Sequence, residues 1–129
     1  MRIFGSEQGE DQSPVNAQEL KKLLDVELVA GITGLNRPIR GGYCGDLLSD
    51  VMANAPEGAV WMTVQSHQNI VAVAVLRNLA AIVLVNGAKP DDQTIEKADG
   101  EAIPLFRTQQ SSYEIAGKLY GTGIGKTKE

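Results

Sequence analysis

Ala59-Val-Trp-Met-Thr-Val64, Ile70-Val-Ala-Val-Ala-Val-Leu76 and Ala81-Ile-Val-Leu-Val85 are three apolar runs that follow one another with little between them. The first and the last have the length of strands that are apolar throughout, as strands covered on both faces are. The middle run is ambiguous by periodicity, and its valines favour a strand. Length decides for a helix: Gln68 to Leu79 holds about three turns without a turn signal, and the alternating alanines let such a helix lie close to a sheet. Strand, helix, strand is therefore the reading of the centre of the chain.

The same alternation extends outward. Upstream, Leu47, Leu48, Val51, Met52 and Ala55 recur at helical spacing after Gly45-Asp46, and Pro56-Glu-Gly58 ends that helix before Ala59. Ile39 to Tyr43 reads as a strand before it, and Glu27 to Ala30 as another that ends at Gly31. Asn16-Ala-Gln-Glu19 has the spacing of a capping box leading into Leu20, Leu23 and Leu24. Downstream, Asn86-Gly87 ends the strand, Pro90-Asp-Asp92 opens a helix closed by Gly100, and Ile103 to Phe106 is a strand. Ser111-Ser-Tyr-Glu114 is a second capping box, leading into Ile115, Ala116, Leu119 and Tyr120 with Gly121 as its C-cap. The implied fold class is α/β, a three-layer α/β/α arrangement on a largely parallel central sheet. Residues 16–124 form the domain, 1–15 a flexible leader in which Met1 to Phe4 add a short edge strand at most, and 125–129 a tail.

Composition removes several functions. Of 129 residues 43% are hydrophobic and 22% charged, and the net charge of -4 argues against a dedicated nucleic-acid binder. The single cysteine, Cys44, excludes an internal disulfide, and the N-terminus is too short in apolar residues to be a signal peptide. No run approaches the length of a membrane span. A cytoplasmic protein is expected, with neither membrane nor nucleic acid as partner.

Three segments resemble the DRTGG domain family: Gly41-Gly-Tyr-Cys-Gly-Asp-Leu-Leu-Ser-Asp-Val-Met52, Gln65-Ser-His-Gln-Asn-Ile-Val-Ala-Val-Ala74 and Ser112-Tyr-Glu-Ile-Ala-Gly-Lys-Leu-Tyr120. The likeness runs from about Ala30 to Ile124 and is also similar to the N-terminal domain of HPr kinase/phosphorylase. Arg37 and Gly41-Gly42 match the name-giving residues, while Asn36 stands where the family has aspartate. The resemblance implies a three-layer α/β/α homodimer with an accessory, regulatory role beside other domains. Stand-alone relatives of this kind are associated with iron hydrogenases. It does not imply kinase activity.

The residues themselves offer five candidate sites. Ser66, His67, Gln68 and Asn69, with Asn86 and Thr108, fall where parallel strands end, the edge at which α/β sheets bind ligands. They are the first choice for a small anionic or nucleotide ligand. Their alternative is helix capping by Ser66 or Asn69, with His67, the lone histidine, on the surface. Arg37, Gly41 and Gly42 could hold an anion through guanidinium and backbone amides, or form a structural loop. Asp46 and Asp50, four apart, could share one helix face as metal ligands, or be solvated acids. Cys44 reads as a packed residue. Gly121-Thr-Gly-Ile-Gly-Lys-Thr127 falls one residue short of a phosphate-binding loop, with no helix after it.

No catalytic set and no cofactor follow. A ligand-sensing regulatory module is the leading reading. A structural protein-interaction module, suggested by Ile70 to Leu79, and a small enzyme using His67 are the alternatives.

Overall fold

Alternating apolar strands and amphipathic helices can bury both faces of a sheet only if helices cover both, and the chain does this. The computed structural model describes residues 15–125. The expected leader strand at Met1 to Phe4 and the end of the glycine-rich tail, Lys126 to Glu129, lie outside them. In order come α1 (Leu20–Leu24, after a 3-10 turn at Ala17–Glu19), β1 (Glu27–Ala30), β2 (Gly41–Cys44), α2 (Leu48–Asn54), β3 (Ala59–Thr63), α3 (Asn69–Leu76), β4 (Ala81–Leu84), α4 (Asp92–Gly100), β5 (Leu105–Arg107) and α5 (Ser112–Gly121).

The five strands form one sheet in the order β1-β5-β4-β3-β2, parallel except for β1, which runs antiparallel to β5 with a bulge between Leu28 and Ala30. Side chains alternate between two cores, as the two-residue period of a strand requires. Ala59, Trp61, Ile82, Leu84 and Leu105 face one layer, packed by Val51, Ile70, Val71, Ala74 and Ala98 of α2, α3 and α4. Val60, Met62, Ala81, Val83 and Phe106 face the other, packed by Leu20, Leu24, Ile115 and Leu119 of α1 and α5. The helix read from Gln68 to Leu79 forms over Asn69–Leu76. It is buried on the side of Ile70, Val71, Val73 and Ala74 and leaves Leu76 exposed.

Both capping boxes form. Asn16 Oδ1 accepts from the Glu19 amide at 3.3 Å while Glu19 accepts from the Asn16 amide at 3.0 Å, and Ser111 and Glu114 exchange the same pair at 3.1 and 2.9 Å. Several boundaries differ from the sequence reading. Gly100 closes α4 as read, but Gly121 is the last helical residue of α5 rather than its cap, and the left-handed positions beyond the two are taken by Ala102 (φ 56) and Gly123 (φ 91). Val15 belongs to the folded part, since its carbonyl accepts from the Ile39 amide at 2.8 Å. β2 starts at Gly41, because Ile39 is engaged with Val15 instead of a sheet neighbour.

One topological fact governs where a site can form. The three crossovers from β2 to β5 all run through the same helical layer, α2, α3 and α4. A parallel sheet opens a crevice where neighbouring crossovers leave on opposite sides. Between β2 and β5 that divergence does not occur.

Candidate functional site

The carboxyl edge of the sheet gathers the expected residues, and their polar atoms close loops. The Ser66 carbonyl accepts from the Asp91 amide at 3.2 Å and from the buried Thr94 hydroxyl at 2.7 Å. His67 Nδ1 accepts from the Asn69 amide at 3.2 Å, so the histidine, and neither Ser66 nor Asn69, caps the start of α3. Gln68 is the N-terminal boundary residue of that helix and makes no side-chain cap. Asn86 adopts φ 57 and donates its amide to the Gln110 carbonyl at 2.9 Å. Thr108 Oγ1 accepts from the Gln110 amide and from Gln110 Nε2 at 3.1 and 3.0 Å.

Arg37 and Gly41 lie at the opposite end of the sheet from Ser66 to Asn69. Arg37 Nε donates to the Ala102 carbonyl at 3.0 Å, tying the loop before β2 to the turn before β5. Gly41 pairs with Ala59, the first residue of β3. Gly42 serves packing: a methyl group there would sit 2.7 Å from Leu119 Cδ2, so the absent side chain lets α5 settle on β2.

Asp46 precedes α2 and Asp50 lies within it, and the two have separate partners. Asp46 Oδ1 accepts from Thr63 Oγ1 at 2.8 Å and from the Val64 amide at 2.9 Å, binding the β2–α2 loop to the end of β3. Asp50 accepts from the Tyr43 hydroxyl and from Asn54 Nδ2. The bond to Asp50 holds the Tyr43 phenol above its ordinary pKa. Among the described residues no group of three or more His, Cys, Asp and Glu side chains could hold a metal ion.

What sequence reasoning missed is a groove of about 620 Å³ between the outer strand β2 and α5. Gly42, Cys44 and Met62 line it from the sheet, and Tyr113, Lys118, Tyr120 and Ile124 from α5 and the segment after it. The helix shows how it is built. Ile115 and Leu119 are buried in the core, while Tyr113, Ala116, Gly117 and Tyr120 share a neighbouring stripe at helical spacing. Two tyrosines therefore flank a low stretch of alanine and glycine, with Tyr113 89% exposed. Although Cys44 is exposed, partial desolvation against the groove pushes its thiol above its ordinary pKa, and the Asp46 charge adds to that. Glu114, which accepts from Ser111, is held below the ordinary carboxylate range. The tyrosine spacing was the available signal, but it identifies a groove only once β2 is known to be an outer strand.

A second, polar cleft of about 400 Å³ opens beyond β5, where α4 and α5 leave on different faces. Thr108 lines it with Glu27, Arg107 and Gln110. Arg107 is already engaged, donating to the Gly87 carbonyl at 3.0 Å and the Ala88 carbonyl at 3.3 Å, with Glu27 4.0 Å away. Ser66, His67, Gln68, Asn69 and Asn86 line neither opening.

Residues 19–122 match the family model of the DRTGG domain. The chain belongs to the DRTGG domain family. The fold of this DRTGG domain is similar to a crystal structure of the CBS and DRTGG domains of the regulatory region of Clostridium perfringens pyrophosphatase, complexed with its activator diadenosine tetraphosphate. The TM-score is 0.66 at 14% identity, over 81% of this chain and 46% of that one. The chain thus spans less than half the length of that neighbour. No curated protein sequence matches it. Among the described residues no helix is long and apolar enough to cross a membrane.

Proposed function

We propose that this DRTGG domain is a non-catalytic regulatory module and that its ligand surface is the groove between β2 and α5. The observation that carries the reading is the groove itself. About 620 Å³ falls within the range of small-molecule sites, and such sites are mostly apolar with a few polar groups to orient the ligand. Met62, Leu119 and Ile124 supply the apolar part, Tyr113 a stacking face, and Lys118 a cation for an anionic group. A nucleotide, with one planar ring and a phosphate, has the matching chemistry. The neighbouring pyrophosphatase region, whose activator is a dinucleotide, supports this choice of class.

Catalysis is assigned to no residue. His67 lies outside the groove and accepts from the Asn69 amide, so this reading gives it no part in the ligand surface. A homodimer is part of the same proposal. β2 pairs with β3 along one edge, and its sequence, Gly-Gly-Tyr-Cys, carries neither the charge nor the proline that usually blunts an outer strand.

Isothermal titration with adenine and guanine nucleotides tests the ligand, using Gly117→Leu as the blocked variant. Nothing lies within 4 Å of a Cβ at Gly117, so leucine enters the groove without displacing the fold. Saturable binding to the wild type that is lost in Gly117→Leu supports the proposal. Binding that survives in Gly117→Leu overturns the site, and no binding of any nucleotide overturns the ligand class.

A further inference from the structure

We infer that the polar cleft beyond β5 is a second ligand site, separate from the groove between β2 and α5, and that it takes a small zwitterion of the α-amino acid class. The room for it comes from the topology. The chain leaves β2, β3 and β4 into helices of one layer, and leaves β5 into α5 of the other. Neighbouring crossovers that part in this way open a crevice at the carboxyl end of a sheet. No further parallel strand lies beyond β5 to fill it. β1 arrives there instead, turned out of α1 by Asp25 at φ 57. The cleft measures about 400 Å³, within the range of small-molecule sites.

Its walls are fixed by the fold. Arg107 spans the point where the crossovers diverge, donating from Nε to the Ala88 carbonyl at 3.3 Å and from Nη2 to the Gly87 carbonyl at 3.0 Å, so the guanidinium is held in place. Gln110 is held as firmly, its Nε2 donating to the carbonyls of Leu24 and Asp25 at 3.0 and 3.1 Å. Groups set before a ligand arrives lose less freedom when it binds.

The groups left over define the ligand. Glu27 and Arg107 are register partners across β1 and β5, yet Arg107 Nη1 stops 4.0 Å from Glu27 Oε1, beyond hydrogen-bond distance. A cation and an anion thus stand side by side with bonding capacity unused. The Asp25 carboxylate and the Gln109 side-chain amide line the same cleft and have no hydrogen-bond partner among the described residues. Two anions and one cation repel a polyanion such as a nucleotide, and a simple amine leaves Arg107 unanswered. An α-amino acid answers both charges, because its ammonium and carboxylate sit on one carbon. The ammonium is placed on Glu27 and Asp25 and the carboxylate on Arg107 Nη1, in charge-assisted hydrogen bonds, with Gln109 at hand for a polar side chain.

Isothermal titration with the standard L-amino acids at millimolar concentration tests the site. Each one that binds is titrated again as its N-acetyl and its carboxamide derivative, and into Glu27→Gln and Gly117→Leu. The Glu27 side chain is 71% exposed, so its substitution leaves the fold intact. The expected result is saturable binding of at least one amino acid that disappears when either charged group is blocked. Glu27→Gln should weaken it about tenfold or more, the usual effect of losing a hydrogen bond to a charged group, while Gly117→Leu leaves it unchanged.

No binding by any amino acid overturns the proposal, as does binding that survives acetylation or amidation. Wild-type affinity in Glu27→Gln, with only a lower melting temperature, makes Glu27 and Arg107 a cross-strand ion pair and also overturns it. Binding lost in Gly117→Leu belongs to the groove and overturns the second site. The nucleotide titration of the groove is a separate measurement, so either reading can fail while the other stands.

Discussion

Asp46 holds Thr63 across two strands: its carboxylate accepts from the buried Thr63 hydroxyl at 2.8 Å and from the next amide, Val64, at 2.9 Å. Asp46→Ala leaves both donors without this acceptor at the end of a fully buried strand. The expected cost is about 1–3 kcal/mol, with a smaller loss for Asp46→Asn, which retains an acceptor oxygen. Urea unfolding of the two variants measures it. An Asp46→Ala midpoint equal to wild type would refute the loop-closing role.

Two glycines are expected to respond in opposite ways. Gly31 has φ 80, and a methyl group there would lie 1.9 Å from the Ile103 carbonyl oxygen. The left-handed backbone and the clash with main chain together put Gly31→Ala at roughly 3 kcal/mol or more of destabilisation. Gly117 is helical with open space around it, so Gly117→Leu should keep or raise stability by up to about 1 kcal/mol. Thermal unfolding of both decides whether the glycines divide this way.

Stability near the start of α5 should depend on pH through Glu114. Hydrogen bonds from the Ser111 amide and side chain favour its ionised form, so its folded pKa lies below its unfolded one. That contribution is fully present above the unfolded carboxylate value and is lost as pH falls through the folded one. The difference in Tm between wild type and Glu114→Gln should therefore shrink on acidification. A difference independent of pH between 7 and 3, roughly the range over which carboxylates titrate, would count against it.

His67→Ala should cost about 0.5–1 kcal/mol, the usual value of a helix cap, and leave ligand binding at the groove unchanged. Titration calorimetry and unfolding on the same preparation separate the two effects. Loss of binding at unchanged stability would return the site to the carboxyl edge.

Cys44 should react with thiol reagents more slowly than free cysteine at neutral pH, since burial and the Asp46 charge both disfavour its thiolate. Its rate should still be rising at the pH where that of a free thiol levels off. A rate that reaches its plateau below that pH would contradict this environment.

The layers were legible because burial on both faces leaves a direct mark: β3 and β4 are apolar at every position but Thr63. The capping boxes were legible because both partners lie within four residues of one another. Strand order was not, since nothing local to Glu27 to Ala30 says that it will pair with β5 instead of β2. The site followed that gap. Ser66, Asn86 and Thr108 reach one edge as the alternation implies, but the crevice there depends on which way successive crossovers turn. The groove arises from Gly42 and Leu119, which are 77 apart in sequence (119 − 42) and meet only in three dimensions.

The order of the strands also carries a history of assembly. β3, β4 and β5 each join the strand that precedes them, through connections short enough to close at modest entropic cost. β1 must wait, because its partner Arg107 is eighty residues beyond Glu27 (107 − 27) and is placed only once β5 has docked. Folding is thus expected to begin in the parallel block and to finish with α1 and β1 closing over its far side. Substitutions at Leu28 should then act chiefly by speeding unfolding, and those at Val60 or Ile82 by slowing folding.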